Sequence, residues 1–497
     1  MANSAAKPKF SLRLLIDEEK NRVVLAEAGK DFVDVLCSLL TLPMGTIVRL
    51  LEKHQTPQSP VVGCFHKLYK SVSDMSDDNF EAQACKNLLL YPRSVKESLS
   101  RKLKLNIDDT VATGFFICPY FMSNESCCKV YSNTSASRCC YCGRAMSCEI
   151  QVQGELADGV LPSCRTSFII TDDLKVSLNS MGLVLNVLND LGYAGFDKLQ
   201  EMLIDVGSEE VLTLLGCLFT SQVPLTDTFL KKHCMARKRK VLTPLVQEIV
   251  VSGDPDKCVT IKVYIRKTDM TILFAECRED FIDLLFTFLA IPLEFACELS
   301  VDNVNMGCVG NICRSLKDLS YEKPKEVTDS KCMLPYHYNF RAQLLDIAIQ
   351  EGDSGLECLI PTSGASSDCM FSRKIKKDVL SKGERIVKFA PMHSNPPSYV
   401  GVGFVKGETS FIVSDDLFIT PMSTSSTISL LSKLQLNISD IDEQVINITK
   451  AEAVNLLRAS LITNSALTNG LSNFLSKMEP QEATPSSSKN PKTQMPL

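Results

Sequence analysis

The chain has 497 residues and a formal net charge of −5, from 53 basic and 58 acidic side chains. A single hydrophobic core stops growing at roughly 250–300 residues, so this length predicts two or more domains. The charge excludes an overall basic field for nucleic acid, and no apolar stretch approaches the ~18 residues of a membrane span. The N-terminus also lacks the pattern of a secretory signal. We therefore expect a cytoplasmic protein without membrane contact, whose 21 cysteines remain mostly reduced.

The first predicted elements occur twice in the chain. Residues 9–43 align without a gap with residues 258–292, and nine positions are identical. The identical pairs are Ile16 and Ile265, Ala26 and Ala275, Glu27 and Glu276, Asp31 and Asp280, Phe32 and Phe281, Asp34 and Asp283, Leu36 and Leu285, Leu40 and Leu289, and Pro43 and Pro292. Apolar residues alternate at period two on both sides of a polar turn, which predicts a β-hairpin in each copy.

A helix is predicted after each hairpin. Asp31 and Asp280 precede apolar runs, and an acid at that place is typical of a helix N-cap or first turn. Pro43 and Pro292 then end this helix and start another.

Two further blocks repeat in the same order. Gly63, Cys64 and Ser71 match Gly307, Cys308 and Ser315, and seven of nine residues agree between Thr166–Leu174 and Thr409–Leu417. Strands and helices alternate without a regular βαβ rhythm. These features predict an α+β fold of two tandem divergent repeats, each with mixed or antiparallel sheet hairpins packed on helices.

The repeats also predict where the chain divides. A first unit spans residues 1–235 and carries a cysteine-rich insertion at 118–148; a linker at 236–257 leads to a second unit at 258–476. Residues 477–497 are poor in apolar side chains and rich in Pro and Ser, which predicts a disordered tail.

Four stretches of the chain resemble a plant family called domain of unknown function 674. They are Ala26–Leu51, Gly63–Val72, Arg165–Leu174 and Glu209–Ser221. The resemblance covers nearly the whole chain and ends near Leu475. It implies a tandem arrangement of that domain, but it implies no activity, substrate or catalytic residue.

Seven cysteines lie within residues 118–148. They are Cys118, Cys127, Cys128, Cys139, Cys140, Cys142 and Cys148. Cys139 and Cys142 form a C-x-x-C followed by Gly143, a spacing at which two thiolates can bind one Zn²⁺. A structural site needs two more ligands, for which Cys118 and either Cys127 or Cys128 are candidates. We predict zinc at Cys118, Cys127, Cys139 and Cys142.

Two alternatives to this zinc site stay open. The family resemblance implies a C-x-C-G pattern, which would select Cys140 and Cys142 as the first two ligands. The other alternative is a set of ordinary reduced thiols in an irregular, partly exposed insertion.

Other polar motifs favour structural roles. The pairs Asp172–Asp173 and Asp415–Asp416 could bind a cation or act as acid and base, but Asp is also a preferred turn residue that caps backbone N–H groups. The five histidines, His54, His66, His233, His337 and His393, form no metal-binding or catalytic motif. The segment Gly401–Gly407 lacks the G-K-[ST] ending of a phosphate loop and predicts a hairpin instead.

The segment Lys231–Lys240 is strongly basic. It is typical of a solvated linker, although nuclear import or anion binding would use the same residues. Because the halves share core positions and turns but no reactive side chains, the leading hypothesis is a non-catalytic interaction or scaffold protein with an unidentified protein partner and no small-molecule substrate. The alternatives are an enzyme with a site between the units, and a nucleic-acid binder using residues 231–240 and a zinc knuckle.

Overall fold

The computed structural model describes residues 9–54, 62–81, 83–94, 96–123, 127, 129–133, 135, 137–153, 167–231, 258–298, 307–320, 332–334, 348–350, 355–361, 370–372, 375, 383–391, 403–434 and 438–476. The predicted linker at 236–257, the tail at 477–497 and most of the basic segment lie outside these ranges. Within the described part of the chain, no helix combines the length and apolar character that a membrane crossing requires.

The strands are β1 (Phe10–Asp17), β2 (Arg22–Ala28), β3 (Phe115–Ile117), β4 (Val130–Ser132), β5 (Cys148–Ile150), β6 (Val152–Gln153), β7 (Phe168–Thr171), β8 (Val176–Leu178), β9 (Leu199–Val206), β10 (Val259–Arg266), β11 (Thr271–Cys277), β12 (Cys332–Leu334), β13 (Ala348–Gln350), β14 (Leu356–Pro361), β15 (Met370–Ser372), β16 (Glu384–Pro391), β17 (Phe411–Ser414), β18 (Ile419–Pro421) and β19 (Ile441–Ile448).

The helices are α1 (Lys30–Leu40), α2 (Met44–Lys53), α3 (Phe65–Asp74), α4 (Gln83–Leu90), α5 (Glu97–Ser100), α6 (Pro119–Ser123), α7 (Met181–Asp190), α8 (Ser208–Thr220), α9 (Glu279–Ala290), α10 (Leu293–Glu298), α11 (Gly307–Ser320), α12 (Thr424–Leu434), α13 (Lys450–Ile462), α14 (Ala466–Gly470) and α15 (Ser472–Ser476). Helices and antiparallel or mixed sheets confirm the predicted α+β class.

Two five-stranded antiparallel sheets have the same strand order. One runs β8-β7-β2-β1-β9 and the other β18-β17-β11-β10-β19. Both hairpins shift register at the matching place, between Leu15 and Ile16 and between Tyr264 and Ile265. The two segments that repeat in the sequence therefore form hairpins of the same kind. We call this pair of sheets the twin sheets.

Local sequence explains how each twin sheet leads into its first helix. Along β1 buried and exposed residues alternate, so one face of the sheet is apolar. Asp31 and Asp280 lie in the first turns of α1 and α9, where a carboxylate interacts favourably with the helix dipole. Pro43 precedes the first residue of α2, which accounts for the break after α1.

The two halves of the chain interlock around an approximate two-fold relation. The Met44 N–H donates to Ile291 O at 3.0 Å, and the matching Leu293 N–H donates to Leu42 O at 3.1 Å. Helix α3 of the first half contacts β18 of the second, whereas α11 of the second half contacts β8 of the first. Each half therefore supplies a helix to the other, and buried apolar residues of both halves form one continuous core.

Matching serines fix these exchanged helices. The Ile419 N–H donates to Ser71 Oγ at 2.8 Å, and the Val176 N–H donates to Ser315 Oγ at 2.9 Å. Ser71 and Ser315 are the serines that match between the repeated blocks at residues 63–71 and 307–315. The two serines match because each accepts a backbone hydrogen bond from a strand of the other half.

A third sheet contains strands from both halves. Its order is β5-β3-β4-β16-β14-β15-β6, and the pairs β4–β16 and β15–β6 are parallel. The cysteine-rich insertion therefore shares a sheet with strands β14, β15 and β16 of the second half. A separate apolar cluster, including Phe121, Tyr131 and Phe389, packs on this sheet, which we call the shared sheet.

Candidate metal centre

Four cysteine side chains converge beside the shared sheet. Their sulfur atoms all lie within 4.8 Å of one another, and the four residues are Cys118, Cys127, Cys139 and Cys142. The Cys127 sulfur lies 3.5 Å from that of Cys118, 3.4 Å from that of Cys139 and 3.8 Å from that of Cys142. The sulfurs of Cys118 and Cys142 are 3.4 Å apart. The structure thus brings together the four cysteines that the sequence proposed as ligands.

Short elements position the four thiols. Cys118 directly follows β3, and its carbonyl accepts the Phe121 N–H as α6 begins. Cys139 and Cys142 lie in a tight turn in which the Gly143 N–H donates to Cys139 O at 2.9 Å. Gly143 has φ +69°, a conformation that glycine adopts without steric cost. The C-x-x-C-G spacing therefore folds into a knuckle with both thiols on one side.

The distances agree with a tetrahedral zinc ion. Zn–S bonds of about 2.3 Å place the sulfurs of a tetrahedron about 3.8 Å apart. Thiolate-only donor sets are typical of zinc and of iron–sulfur centres. The residues present therefore fit a four-thiolate metal site without rearrangement of the chain.

Burial distinguishes the ligands from one another. Cys118, Cys127 and Cys139 are buried, whereas Cys142 is partly exposed. Burial, followed by hydrogen bonding with the Cys142 thiol, raises the pKa of the Cys118 thiol. A metal ion reverses this preference, because a coordinating thiol is deprotonated outright. Cys142 provides the side from which an ion can reach the site.

The structure distinguishes between the two possible pairs of knuckle cysteines, Cys139 with Cys142 and Cys140 with Cys142. Cys139 belongs to the converging group, whereas Cys140 is exposed and is not a member of it. The C-x-x-C spacing therefore describes the geometry, and the C-x-C-G pattern implied by the family does not. Cys128, the alternative third ligand, lies outside the described residues.

The repeated aspartates anchor the C-terminal part of each half. Asp172 accepts the Thr226 N–H at 3.0 Å and the Thr226 hydroxyl at 2.9 Å. Asp415 accepts the same two groups of Thr468, at 2.8 and 3.0 Å. Burial raises the pKa of both carboxyl groups, while these hydrogen bonds lower it. Asp172 and Asp415 lie in turns, as the sequence predicts, but their carboxylates bind threonines 54 and 53 residues further along the chain instead of neighbouring N–H groups.

The other candidate residues that the structure describes form hydrogen bonds or ion pairs with side chains that lie close to them in the fold. His54 contacts the Thr213 hydroxyl at 3.1 Å and His66 contacts Glu52 at 2.9 Å. His233, His337 and His393 lie outside the described ranges. In the former phosphate-loop candidate, the Phe404 and Val405 N–H groups donate to Asp283 Oδ1 at 2.9 and 3.2 Å. These amides hold a buried carboxylate of the core.

Sequence reasoning missed a polar cavity at the β1–β2 turn. Lys20 and Arg22 line it, although the polar pattern of residues 17–22 predicted nothing more than a turn. The matching residues of the second half are Asp269 and Thr271, so the available signal was a difference in charge between two otherwise similar turns.

Comparison with protein families matches residues 6–451 to the family described as protein of unknown function (DUF674). The match covers most of the 497 residues, so the chain belongs to this family. Comparisons with curated proteins and with solved structures found no match.

Proposed function

We propose that this member of the DUF674 family is a non-catalytic interaction or scaffold protein with a structural zinc ion bound by Cys118, Cys127, Cys139 and Cys142. The observation that carries the proposal is the convergence of four thiols within 4.8 Å. Structural zinc sites use four protein ligands, whereas catalytic sites keep one position open for water or substrate. A complete set of four thiols therefore favours a structural role.

The ion would stabilise a contact between the halves of the chain. Strands β3, β4 and β5 have three residues each, which is short for strands of globular proteins. Strand β4 pairs with β16 of the second half. Structural zinc contributes on the order of 10–16 kcal/mol of apparent binding free energy in small peptides. Zinc at the knuckle would therefore hold the shared sheet together.

The knuckle also presents a surface suited to a protein partner. Tyr141 lies between the two knuckle ligands and is 69% exposed. Arg138 and Arg144 flank it in the sequence, and both are exposed. Tyrosine and arginine are enriched among residues that dominate binding energy at interfaces. We propose that a protein partner, whose identity is unknown, contacts the knuckle at Tyr141.

A nucleic-acid ligand is the second candidate for this surface. Zinc knuckles are among the modules that bind single-stranded RNA, whose bases stack on aromatic side chains and arginine planes. Arg138, Tyr141 and Arg144 provide such groups, and residues 231–240 add a basic segment. The overall charge of −5 disfavours this candidate. A strong decrease of RNA binding with salt would support it.

The enzyme alternative places a site between the two units. Along their contact, the described residues of α2, α3 and α9 pack into the continuous core. This packing favours a structural contact between the two units over an active site between them. The cytoplasmic location, with nuclear entry through residues 231–240, stays a prediction, which a fluorescent fusion with alanine at Arg237, Lys238, Arg239 and Lys240 would test.

Elemental analysis tests whether the four cysteines bind a metal ion. We expect about one zinc per chain in protein purified without chelator, and loss of that zinc in Cys142→Ala. Cys140→Ala is the matched control, because Cys140 lies in the same turn but outside the converging group. A folded wild-type sample without zinc or iron would rule out the structural metal.

A second experiment tests the partner surface. Tyr141→Ala should keep its zinc and lose a protein that wild-type chain captures from plant tissue. The exposed Phe196, which lies on the first half away from the knuckle sequence, supplies the control variant Phe196→Ala. Equal capture by wild type and Tyr141→Ala would exclude the knuckle as the contact.

A further inference from the structure

A polar cavity of about 390 Å³ lies where the β1–β2 turn meets the chain that follows α8. Lys20, Asn21 and Arg22 line it from the turn, and Gln222, Thr226 and Lys231 line it from the other side. We call it the turn cavity. Its volume falls within the range of about 300–1,000 Å³ that is typical of small-molecule sites.

Each cation of the turn cavity is held by a buried carboxylate. The pairs are Lys20 with Asp17 at 3.2 Å, Arg22 with Asp172 at 2.9 Å and Lys231 with Asp227 at 2.8 Å. The three carboxylate side chains are only 1–6% exposed, whereas the three cationic side chains are 35–61% exposed. The acids thus fix the positions of the cations, whose side chains stay partly or largely exposed to solvent.

Arg22 retains donors for a ligand. Its Nε bonds Asp172, so the two terminal nitrogens of the guanidinium lie outside that hydrogen bond. An arginine fork binds phosphate oxygens in a planar, often bidentate arrangement, and lysine adds a compact positive charge. The amides of Asn21 and Gln222 provide neutral donors and acceptors beside these cations.

The second half shows that the scaffold does not require the cations. The anchor of Asp172 on Thr226 recurs as Asp415 on Thr468. The positions that match Lys20, Arg22 and Lys231 are nevertheless Asp269, Thr271 and Asn473. One fold therefore exists with and without the three positive charges, so the shared topology does not depend on them.

We propose that the turn cavity binds a small phosphorylated metabolite of the sugar-phosphate class. Lys20, Arg22 and Lys231 contact the phosphate, whose oxygens accept charge-assisted hydrogen bonds from cations that the three aspartates hold in place. The cavity is larger than a phosphate group, and the amides of Asn21 and Gln222 are available to bond hydroxyl groups of the sugar. This site is independent of the proposed metal centre, because none of the four cysteines lines it.

Calorimetric titration of the full chain with glucose 6-phosphate, inorganic phosphate and glucose tests the proposal. We expect glucose 6-phosphate to bind most tightly, phosphate to bind more weakly and glucose not to bind. Gln222→Glu adds a negative charge to the wall while every ion pair stays in place. It should weaken binding of glucose 6-phosphate at least about tenfold, or ~1.4 kcal/mol.

Asn464→Asp is the matched control. Asn464 occupies the position of Gln222 in the second half and is exposed like it. This variant should bind glucose 6-phosphate as the wild type does, and both variants should unfold at the wild-type temperature. No binding by the wild type, or equal binding by wild type and Gln222→Glu, overturns the site. Equal affinity for phosphate and glucose 6-phosphate overturns the assignment to a phosphorylated sugar.

Discussion

The twin sheets and the shared sheet hold their strands together by different means. Each twin sheet packs on long buried helices such as α1 and α9, and both belong to one continuous apolar core. The shared sheet has short strands on its cysteine-rich side, a smaller apolar cluster and four converging thiols. Burial of apolar surface supplies most of the stabilisation of the first region. The second region has less such surface, and its cysteines are placed where a metal would add stability.

Substitution of one glycine should break the twin-sheet core most severely. Gly63 has φ +49°, and a Cβ there would lie 2.0 Å from the backbone oxygen of Ser460. Gly63→Ala should cost on the order of 4–5 kcal/mol or prevent folding, because α3 cannot then approach α13. Urea unfolding measures the loss. Gly182→Ala, at a helical position with no atom within 4 Å, is the control, and equal stability of the two variants would contradict this close approach.

Removal of the proposed zinc ion should affect the shared sheet and spare the twin sheets. At a free zinc concentration of about 100 times Kd, bound zinc contributes ~2.7 kcal/mol, which chelation would abolish. Hydrogen exchange should then speed up in β3, β4 and β16 and stay slow in β1 and β10. Uniform acceleration in all five strands would contradict the distinction between the two regions.

Removing either anchoring threonine should have a moderate effect, similar in the two halves. Thr226 accepts the Val23 N–H at 2.9 Å, and Thr468 accepts the Ile272 N–H at 2.9 Å. Thr226→Val and Thr468→Val each leave a carboxylate, buried at Asp172 and partly buried at Asp415, and an amide with one partner fewer, which costs about 1–3 kcal/mol. Urea unfolding would compare them with Thr260→Val on an exposed strand position. A loss confined to one half would refute an equivalent role.

The smallest expected effect is a change in acid stability. The Tyr193 hydroxyl and then the Lys20 N–H donate to Asp17 and lower the pKa of its carboxyl from 3.8 to about 2. Since the folded pKa is depressed, the stabilisation is present above about pH 4 and is lost as the pH falls toward 2. Tyr193→Phe should therefore be less stable than wild type at neutral pH, and this difference should shrink over that window.

Urea midpoints across the pH range would measure this change. Asp17→Asn supplies the reference, because the effect of Tyr193→Phe should largely disappear when Asp17 carries no charge. A difference between Tyr193→Phe and wild type that is constant from neutral pH to about pH 2 would show that the hydroxyl acts on another group.

Several features could be predicted from neighbouring residues alone. The alternating pattern around Leu12 and Ile261 predicts the hairpins, and Pro43 predicts a helix break, because these signals act within a few residues of backbone. The C-x-x-C-G spacing of Cys139 and Cys142 likewise predicts a local turn. The repeat in the sequence also predicts one fold for both halves, and the strand orders of the twin sheets match.

Tertiary structure alone decided which distant residues meet. The exchange of α3 and α11 depends on how two apolar faces pack, and apolar burial has no direction that a linear pattern records. The same holds for the pairing of β4 with β16, since an exposed strand edge can accept many partners. Sequence spacing limited the candidate metal ligands to a few cysteines. The fold brings Cys139 and not Cys140 into the converging group, because the backbone decides which thiols point toward one another.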